Sequence, residues 1–336
     1  MTTAAFLPIQ PLGSADAINE NWQSRYLPLW QRMQCTVLTT ADKLQIHCYG
    51  FKTPGATQAF VISPGRMELA IKYAELCFEL VQAGYSVYLI DHRGQGLSQR
   101  ALLNPHKGYV SHFGQYQQDL ALFIEQVVLP AGHSQHIALG HSMGCAILAG
   151  YMQQYPHPFN AAILCSPMFG IYTGLVPYRL AQSIALAYGA LNQALSREPW
   201  YFPGQGNYKE KPFTANPLTA CAARYQWLMQ LYQDYPQAQL GGVTSSWVSA
   251  AIQAMAQLQR DAARWCTPVL LLQAAADKVV SNHAQNLWLQ QISADLLQRK
   301  VILANARHEI FIETDNIRQQ AFVAINQFLQ QLPSTA

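Results

Sequence analysis

The chain has 336 residues, of which half are hydrophobic and only 12% are charged. This length suits one large α/β domain with an insertion, or two domains, and it allows an extensive buried core. The apolar content excludes a charge-rich disordered protein. The net charge of +3 is small and the basic residues do not form the dense stripe of nucleic-acid-binding proteins, so we expect no nucleic-acid partner.

Cysteine usage and the N-terminus indicate where the protein resides. The seven cysteines are odd in number and none stands in a Cys-x-x-Cys pair, which is typical of a reducing compartment. Positions 1–21 lack the basic start and the apolar run of a signal peptide, and no stretch is long and apolar enough to span a membrane. We expect a cytoplasmic protein, with peripheral contact at the inner face of the cytoplasmic membrane as an additional hypothesis.

Short apolar runs rich in β-branched residues alternate with helical periodicity, which predicts a mostly parallel sheet flanked by helices. The pattern predicts eight strands, at 35–40, 44–49, 60–63, 86–90, 136–139, 161–165, 269–273 and 301–303. It also predicts helices at 69–82, 116–127, 143–154, 284–291 and 317–329.

The segment 168–264 interrupts this alternation with helical stretches and aromatic-rich loops. We expect it to be a helical lid, inserted after the sixth strand of a core made of 1–167 and 265–336. The insert has seven basic and four acidic residues, so it carries the whole net positive charge. Two interpretations stay open: the excess attracts the insert to an anionic membrane surface, or the cations are simply solvated.

The motif Gly-His-Ser-Met-Gly at 140–144 follows a predicted strand and opens a predicted helix. In that context Gly-x-Ser-x-Gly forms a nucleophile elbow. Gly140 and Gly144 let the strand turn sharply into the helix without Cβ clashes, which leaves Ser142 exposed at the carboxyl edge of the sheet. The alternative is a serine that merely caps a helix.

A nucleophilic serine needs an imidazole to accept its proton and a carboxylate to orient that imidazole. Asp277 follows the seventh predicted strand and His308 follows the eighth, so the chain order is Ser, Asp, His. His308-Glu309 does not begin a zinc motif, because Ile312 stands where His-Glu-x-x-His needs its second histidine. We therefore predict a catalytic triad of Ser142, Asp277 and His308, with no metal and no cofactor.

Acyl transfer also needs two N–H donors for the oxyanion of its tetrahedral intermediate. The backbone N–H of Met143, directly after the nucleophile at a helix N-terminus, is one candidate. The loop after the third strand supplies the other, and Arg66 is our candidate there. The alternative is that this loop is an ordinary turn and Arg66 a surface cation.

Three motifs together resemble the α/β-hydrolase family of bacterial lysophospholipases and monoacylglycerol lipases. They are Pro-Gly-Arg-Met-Glu at 64–68, Asp-His-Arg-Gly-Gln-Gly-Leu-Ser at 91–98 and Gly-His-Ser-Met-Gly at 140–144. Further motifs in and beside the insert resemble the bacterial lysophospholipases in particular. These are Ser-Pro-Met-Phe-Gly at 166–170, Asn-Pro-Leu-Thr at 216–219 and Gly-Gly-Val-Thr at 241–244.

The resemblance implies an α/β-hydrolase fold and the same triad and oxyanion donors that the residues indicate. It further implies an ester hydrolase that removes the fatty acyl chain from a lysophospholipid through an acyl-enzyme. A monoacylglycerol lipase or general carboxylesterase, a transacylase, and a peptide or amide hydrolase use the same residues and stay open as alternatives. A non-catalytic ligand-binding protein is a further alternative, against which the intact triad argues.

Overall fold

The structure of the protein is a computed structural model that describes residues 6–332. Positions 1–5, at the start of the segment expected to lack a signal peptide, lie outside the described residues. So do positions 333–336, at the end of the predicted core segment 265–336.

Eight strands form one sheet: β1 Gln34–Thr39, β2 Gln45–Phe51, β3 Gln58–Ser63, β4 Ser86–Ile90, β5 Gln135–His141, β6 Phe159–Cys165, β7 Val269–Ala274 and β8 Gln298–Leu303. Their order is β1-β2-β4-β3-β5-β6-β7-β8. Strand β2 runs antiparallel to β1 and β4, and the other neighbours are parallel. All eight predicted strands are confirmed, and so is the mostly parallel sheet of the predicted fold class.

Helices cover both faces of this sheet. The α-helices in residues 6–332 are α1 Ile18–Asn21, α2 Leu27–Gln31, α3 Ala74–Gln82, α4 Gly114–Phe123, α5 Met143–Gln154, α6 Tyr178–Leu195, α7 Ala222–Asp234, α8 Ser245–Arg260, α9 Asn282–Gln291 and α10 Asp315–Leu329. Trp22–Tyr26 and Ile124–Val128 are π-helical. Single 3₁₀ turns lie at Ala70–Tyr73, Leu129–Ala131, Phe213–Ala215, Pro236–Ala238, Ala262–Arg264 and Ile310–Ile312.

The five predicted helices are confirmed, whereas the N-terminal helical segment was not predicted. Helices α1 and α2 are too short to show a convincing 3.6-residue period, and packing stabilises them instead. Trp22, between them, lies edge-on to Trp227 of α7, with 5.5 Å between the ring centroids. The segment therefore belongs to a tertiary contact that no local pattern indicates.

The sheet separates two apolar clusters. On one face, α4 and α5 pack with side chains such as Leu120 and Ile147. On the other face, α3 and α10 pack with side chains such as Leu76 and Phe322. The central strand β5 is buried along its whole length, so its carboxyl end has a fixed position between the two clusters.

Helices α6, α7 and α8 occupy the interval between β6 and β7, and no strand of the sheet lies there in the described chain. Helix α8 packs on α5, and its Trp247 belongs to the same apolar cluster as Ile147. The Arg224 guanidinium of α7 donates two hydrogen bonds of 2.9 Å to the Glu75 carboxylate of α3. These contacts make the segment continuous with the core.

Two further features concern the helices and the cysteines. None of the helices in residues 6–332 combines the length and the apolar character needed to cross a bilayer. The seven cysteines are all unpaired in the structure.

Candidate active site

Ser142 lies at the sharp turn between β5 and α5. Its backbone has φ 51° and ψ −115°, in a region that non-glycine residues rarely adopt. Two hydrogen bonds hold this conformation: Ser142 N–H donates to the Cys165 carbonyl at 3.0 Å, and the Ser142 carbonyl accepts from Met168 N–H at 3.1 Å. Such strain costs about 1–3 kcal/mol and persists only where the surrounding structure enforces it.

The two glycines of the motif allow close backbone contacts around this turn. A β-carbon on Gly144 would lie 1.9 Å from the Ser63 carbonyl oxygen, and one on Gly140 would lie 2.9 Å from the Cys145 backbone. Any side chain at Gly144 would therefore push α5 away from the end of β3. The requirement for glycine follows from packing between two elements as well as from the turn.

The three predicted triad residues meet at the carboxyl edge of the sheet. His308 Nε2 lies 2.9 Å from Ser142 Oγ, and His308 Nδ1 lies 2.8 Å from Asp277 Oδ2. Asp277 follows β7 and His308 follows β8, as the chain order predicts. All three residues are buried beneath the insert. Because Nδ1 faces a carboxylate, it carries the ring proton, and Nε2 is free to accept from the serine hydroxyl.

Asp277 is held as a carboxylate. Burial opposes its ionisation, but the hydrogen bond and the charge of His308 outweigh burial and lower the pKa of Asp277 below its ordinary value. The N–H groups of Val279 and Val280 act in the same direction, since both donate to Oδ1, at 2.7 and 3.1 Å. One oxygen is thus fixed by backbone donors and the other is aimed at His308.

The loop after β3 carries Arg66 and packs directly against the start of α5. Glu68 accepts a hydrogen bond from Gly65 N–H at 2.7 Å, and Gln95 donates to the Gly65 carbonyl at 2.7 Å. Met143 is the first residue of α5, where N–H groups have no intrahelical acceptor. The structure therefore brings the two predicted oxyanion donors into adjacent segments, and their role in the reaction stays a prediction.

A buried charged cluster beneath this loop was missed by the sequence analysis. His141 Nδ1 lies 2.6 Å from Glu68, and His141 Nε2 lies 3.1 Å from the His308 carbonyl oxygen. Both partners only accept, so both ring nitrogens carry protons and His141 is an imidazolium. Burial alone would lower the pKa of His141, but Glu309 and Glu68 raise it above its usual value. The cluster thus joins the oxyanion loop to the His308 backbone.

Glu68, His141 and Glu309 bring possible metal-ligating atoms within 4.8 Å of one another. Lys72 already supplies the cation there, because its Nζ lies 2.9 Å from Glu68 and 2.5 Å from Glu309. The negative charges of the two carboxylates equal the positive charges of the Lys72 ammonium and the His141 imidazolium. We therefore interpret the cluster as a set of ion pairs and not as a metal site.

Ser142 and His308 open into a cavity of about 580 Å³ between the sheet edge and the insert. This volume is typical of sites for small organic ligands. Apolar side chains from the insert form much of the wall, among them Ile171, Ala185, Phe202, Val248, Ile252 and Met255. Charged side chains also line the cavity, including Arg66.

This fold and this site define the α/β-hydrolase class, and comparisons with known proteins agree. Residues 55–315 match the family described as serine aminopeptidase, S33. The chain is 35% identical over 309 residues to lysophospholipase L2 of Escherichia coli (strain K12), an alignment that covers 90% of this chain and 89% of that one. It is 33% identical over 270 residues to the probable lysophospholipase L2 of Haemophilus influenzae, covering 80% and 82%.

A solved structure supports the fold separately. A soluble variant of monoglyceride lipase from Saccharomyces cerevisiae, in complex with a substrate analog, has a TM-score of 0.69 at 18% identity and covers 90% of this chain and 97% of that one. The chain belongs to the serine aminopeptidase S33 family of serine hydrolases and is an enzyme.

Proposed function

We propose that this protein hydrolyses the acyl ester of lysophospholipids, using Ser142 as the nucleophile. The observation that carries the proposal is the hydrogen-bonded series Ser142, His308, Asp277 at the base of a cavity with a largely apolar wall. The lysophospholipase names of the bacterial relatives point to the same substrate class.

In the first half of the reaction, Ser142 Oγ attacks the ester carbonyl carbon while its proton passes to His308 Nε2. The carbonyl electron pair moves onto oxygen, where the N–H groups of Arg66 and Met143 stabilise it. The bond from carbon to the glycerol oxygen then breaks, and His308 returns the proton to that oxygen. A water molecule then gives a proton to His308 and attacks the acyl carbon. The bond from that carbon to Ser142 Oγ breaks, Ser142 regains its proton from His308, and a fatty acid is released.

The apolar wall of the cavity takes the acyl chain in this proposal. Side chains such as Phe202 and Ile252 face it from the insert. Burial of each CH₂ group contributes about 0.8 kcal/mol. We assign the segment 168–264 the role of a lid on that basis, over a core formed by 1–167 and 265–336.

We also propose that the lid meets a membrane surface at the cytoplasmic face, where lysophospholipids reside. Helix α6 has a row of exposed apolar side chains with helical spacing: Leu180, Ile184, Leu191 and Leu195. Its only charged residue is Arg179. An apolar face of this kind suits the boundary between headgroups and acyl chains, and the basic excess of the insert favours an anionic surface.

A monoacylglycerol lipase is the second candidate, since the yeast monoglyceride lipase has the same fold and such an enzyme needs the same triad. To test the proposal, purified protein is incubated with lysophosphatidylcholine, lysophosphatidylethanolamine, monoacylglycerol and a peptide anilide, and each product is quantified. We expect release of fatty acid that is fastest from the lysophospholipids.

The matched variants are Ser142→Ala and Ser183→Ala, because Ser183 is exposed on α6 and lies outside the cavity lining. Ser142→Ala abolishes release and Ser183→Ala does not. Preference for monoacylglycerol would favour the second candidate, and transfer of the acyl group to added lipid would identify a transacylase. Absence of any release, or equal release by both variants, would contradict the proposal.

A further inference from the structure

A half-buried arginine is held in the cavity wall by neutral groups. The Arg66 guanidinium carbon lies 5.4 Å from the ring centroid of Trp247. Its Nη2 donates to the Gly241 carbonyl at 2.6 Å, and its Nε is buried without an acceptor among residues 6–332. A β-carbon on Gly108 would lie 2.8 Å from Nη2, so the loop at Gly108 also packs against the Arg66 guanidinium.

The buried arginines differ from the half-buried Arg66 in having carboxylate partners. Arg93, Arg224 and Arg318 form ion pairs of 2.6 to 2.9 Å. Their partners are, in order, Asp42 and Asp119, Glu75 and Asp315, and Glu75 and Glu79. Burial lowers the pKa of Arg66 to about 10, and no carboxylate offsets that effect. A charge withdrawn from water without a counterion is unfavourable, so this position suits an anion that arrives with a ligand.

The other charges that line the cavity favour an anion as well. Glu68, Lys72 and Glu309 already form ion pairs with one another. The charged residues of the lining that remain, apart from the catalytic histidine, are Arg66, Lys209, Lys211 and Glu210. These are three basic side chains and one acidic side chain, so the remaining charge of the cavity lining is basic.

We propose that the Arg66 guanidinium binds the phosphodiester oxygens of a lysophospholipid and thereby selects phospholipid esters over neutral glycerides. The inference rests on the proposed function and adds a headgroup subsite to it. Arg66 belongs to the loop beside Ser142, and a glycerol unit alone separates the ester of a lysophospholipid from its phosphate. The proposal requires that one bound molecule contact both groups. A monoacylglycerol places a neutral hydroxyl there and leaves the cation without a counterion.

The test compares hexanoyl lysophosphatidylcholine with monohexanoylglycerol, both as monomers, so that micelles do not affect the rates. The quantity measured is the ratio of kcat/KM for the two esters. We expect Arg66→Met to lower this ratio at least tenfold, equal to about 1.4 kcal/mol. The loss falls mainly on KM, because the contact forms with substrate and transition state alike. Arg66→Lys restores part of the ratio.

Arg179→Met is the matched control, since Arg179 is exposed on α6 and lies outside the cavity lining. It leaves the ratio unchanged. An equal fall in kcat/KM for both esters in Arg66→Met would show that the side chain only supports its loop, and it would overturn the proposal.

A second readout does not require turnover of lysophospholipid. Glycerophosphocholine should inhibit hydrolysis of nitrophenyl butyrate by the wild type, with an inhibition constant at least tenfold weaker in Arg66→Met. Failure of lysophospholipid hydrolysis together with this inhibition would contradict the proposed function and still support the phosphate subsite. Inhibition by inorganic phosphate as strong as that by glycerophosphocholine would indicate a free-phosphate site and overturn the headgroup assignment.

Discussion

Asp277 determines which nitrogen of His308 faces the nucleophile. Its Oδ2 accepts from Nδ1, so Nε2 is left as an acceptor for the Ser142 hydroxyl. An asparagine at this position could turn either its NH2 group, a donor, or its oxygen, an acceptor, toward His308. Because its side chain is neutral, it would not stabilise the imidazolium that forms during attack. The orientation of one ring therefore depends on one carboxylate.

We expect Asp277→Asn to lower kcat/KM for a soluble ester by a factor on the order of 10³ to 10⁴. The melting temperature should change little, because the side chain keeps its size. Steady-state kinetics and thermal unfolding check the two expectations. A decrease of less than tenfold would assign the orienting role to another group.

The pH dependence of catalysis follows from the same three residues. The imidazole of His308 must be neutral to accept the serine proton, so kcat/KM falls about tenfold per pH unit on the acid side. The pKa of Asp277 is lowered, so this carboxylate stays ionised while the imidazole gains its proton. A profile from about pH 4 to 8 should show a limb that corresponds to one proton. A slope of two would contradict the ionised state of Asp277.

Helix α6 presents apolar side chains to solvent instead of to the core. Leu180 is 53% exposed and Ile184 is 57% exposed, one turn apart on the same face. Such side chains gain about 1.5–3 kcal/mol each when they are fully buried. In the proposed function, this face of the helix is the part of the lid that contacts lipid.

We predict that Leu180→Gln combined with Ile184→Gln weakens binding to anionic phospholipid vesicles at least tenfold, about 1.4 kcal/mol, in flotation or light-scattering assays. Turnover of a soluble ester should stay within about twofold, because neither residue lines the cavity. Leu103→Gln serves as the control, since Leu103 is even more exposed than these two residues but lies on a loop of the core. Equal weakening by the control variant would argue against α6 as the docking element.

Buried ion pairs join the segment 168–264, the proposed lid, to the rest of the molecule. Arg224 of α7 binds the Glu75 carboxylate of α3 and the Glu313 carbonyl before α10. Arg318 of α10 shares Glu75, at 2.9 Å. Three elements that are distant in sequence thus meet at one carboxylate, which limits how far the lid can move as a rigid unit.

We expect Arg224→Met to reduce the free energy of unfolding by about 3–5 kcal/mol, because the buried Glu75 carboxylate loses one of its two counterions. Urea unfolding measures the change. Arg264→Met is the comparison, since the Arg264 side chain is 65% exposed and pairs with Asp261 at 3.8 Å; its loss should be below about 1 kcal/mol. Similar decreases in the free energy of unfolding for the two variants would show that the buried Arg224 contacts stabilise the protein no more than an exposed ion pair does.

Local sequence pattern predicts much of this architecture. Strand β5 is a short apolar run followed by the serine motif, and Asp277 and His308 each follow a strand, so their meeting at one sheet edge follows from parallel order. The cluster of Glu68 and His141 could not be predicted in this way. These residues are 73 positions apart. They meet only because β3 and β5 are neighbours in the sheet, although β4 lies between them in the chain.

In the proposed mechanism, Ser142 carries the acyl group between the ester and water. Wild-type protein is mixed with lysophosphatidylcholine, quenched in acid within the first turnover, digested and mapped by mass spectrometry. We expect a fatty acyl ester on the peptide that contains Ser142, and none on the corresponding peptide of Ser142→Ala. Acylation at another residue, or hydrolysis that continues in Ser142→Ala, would contradict it.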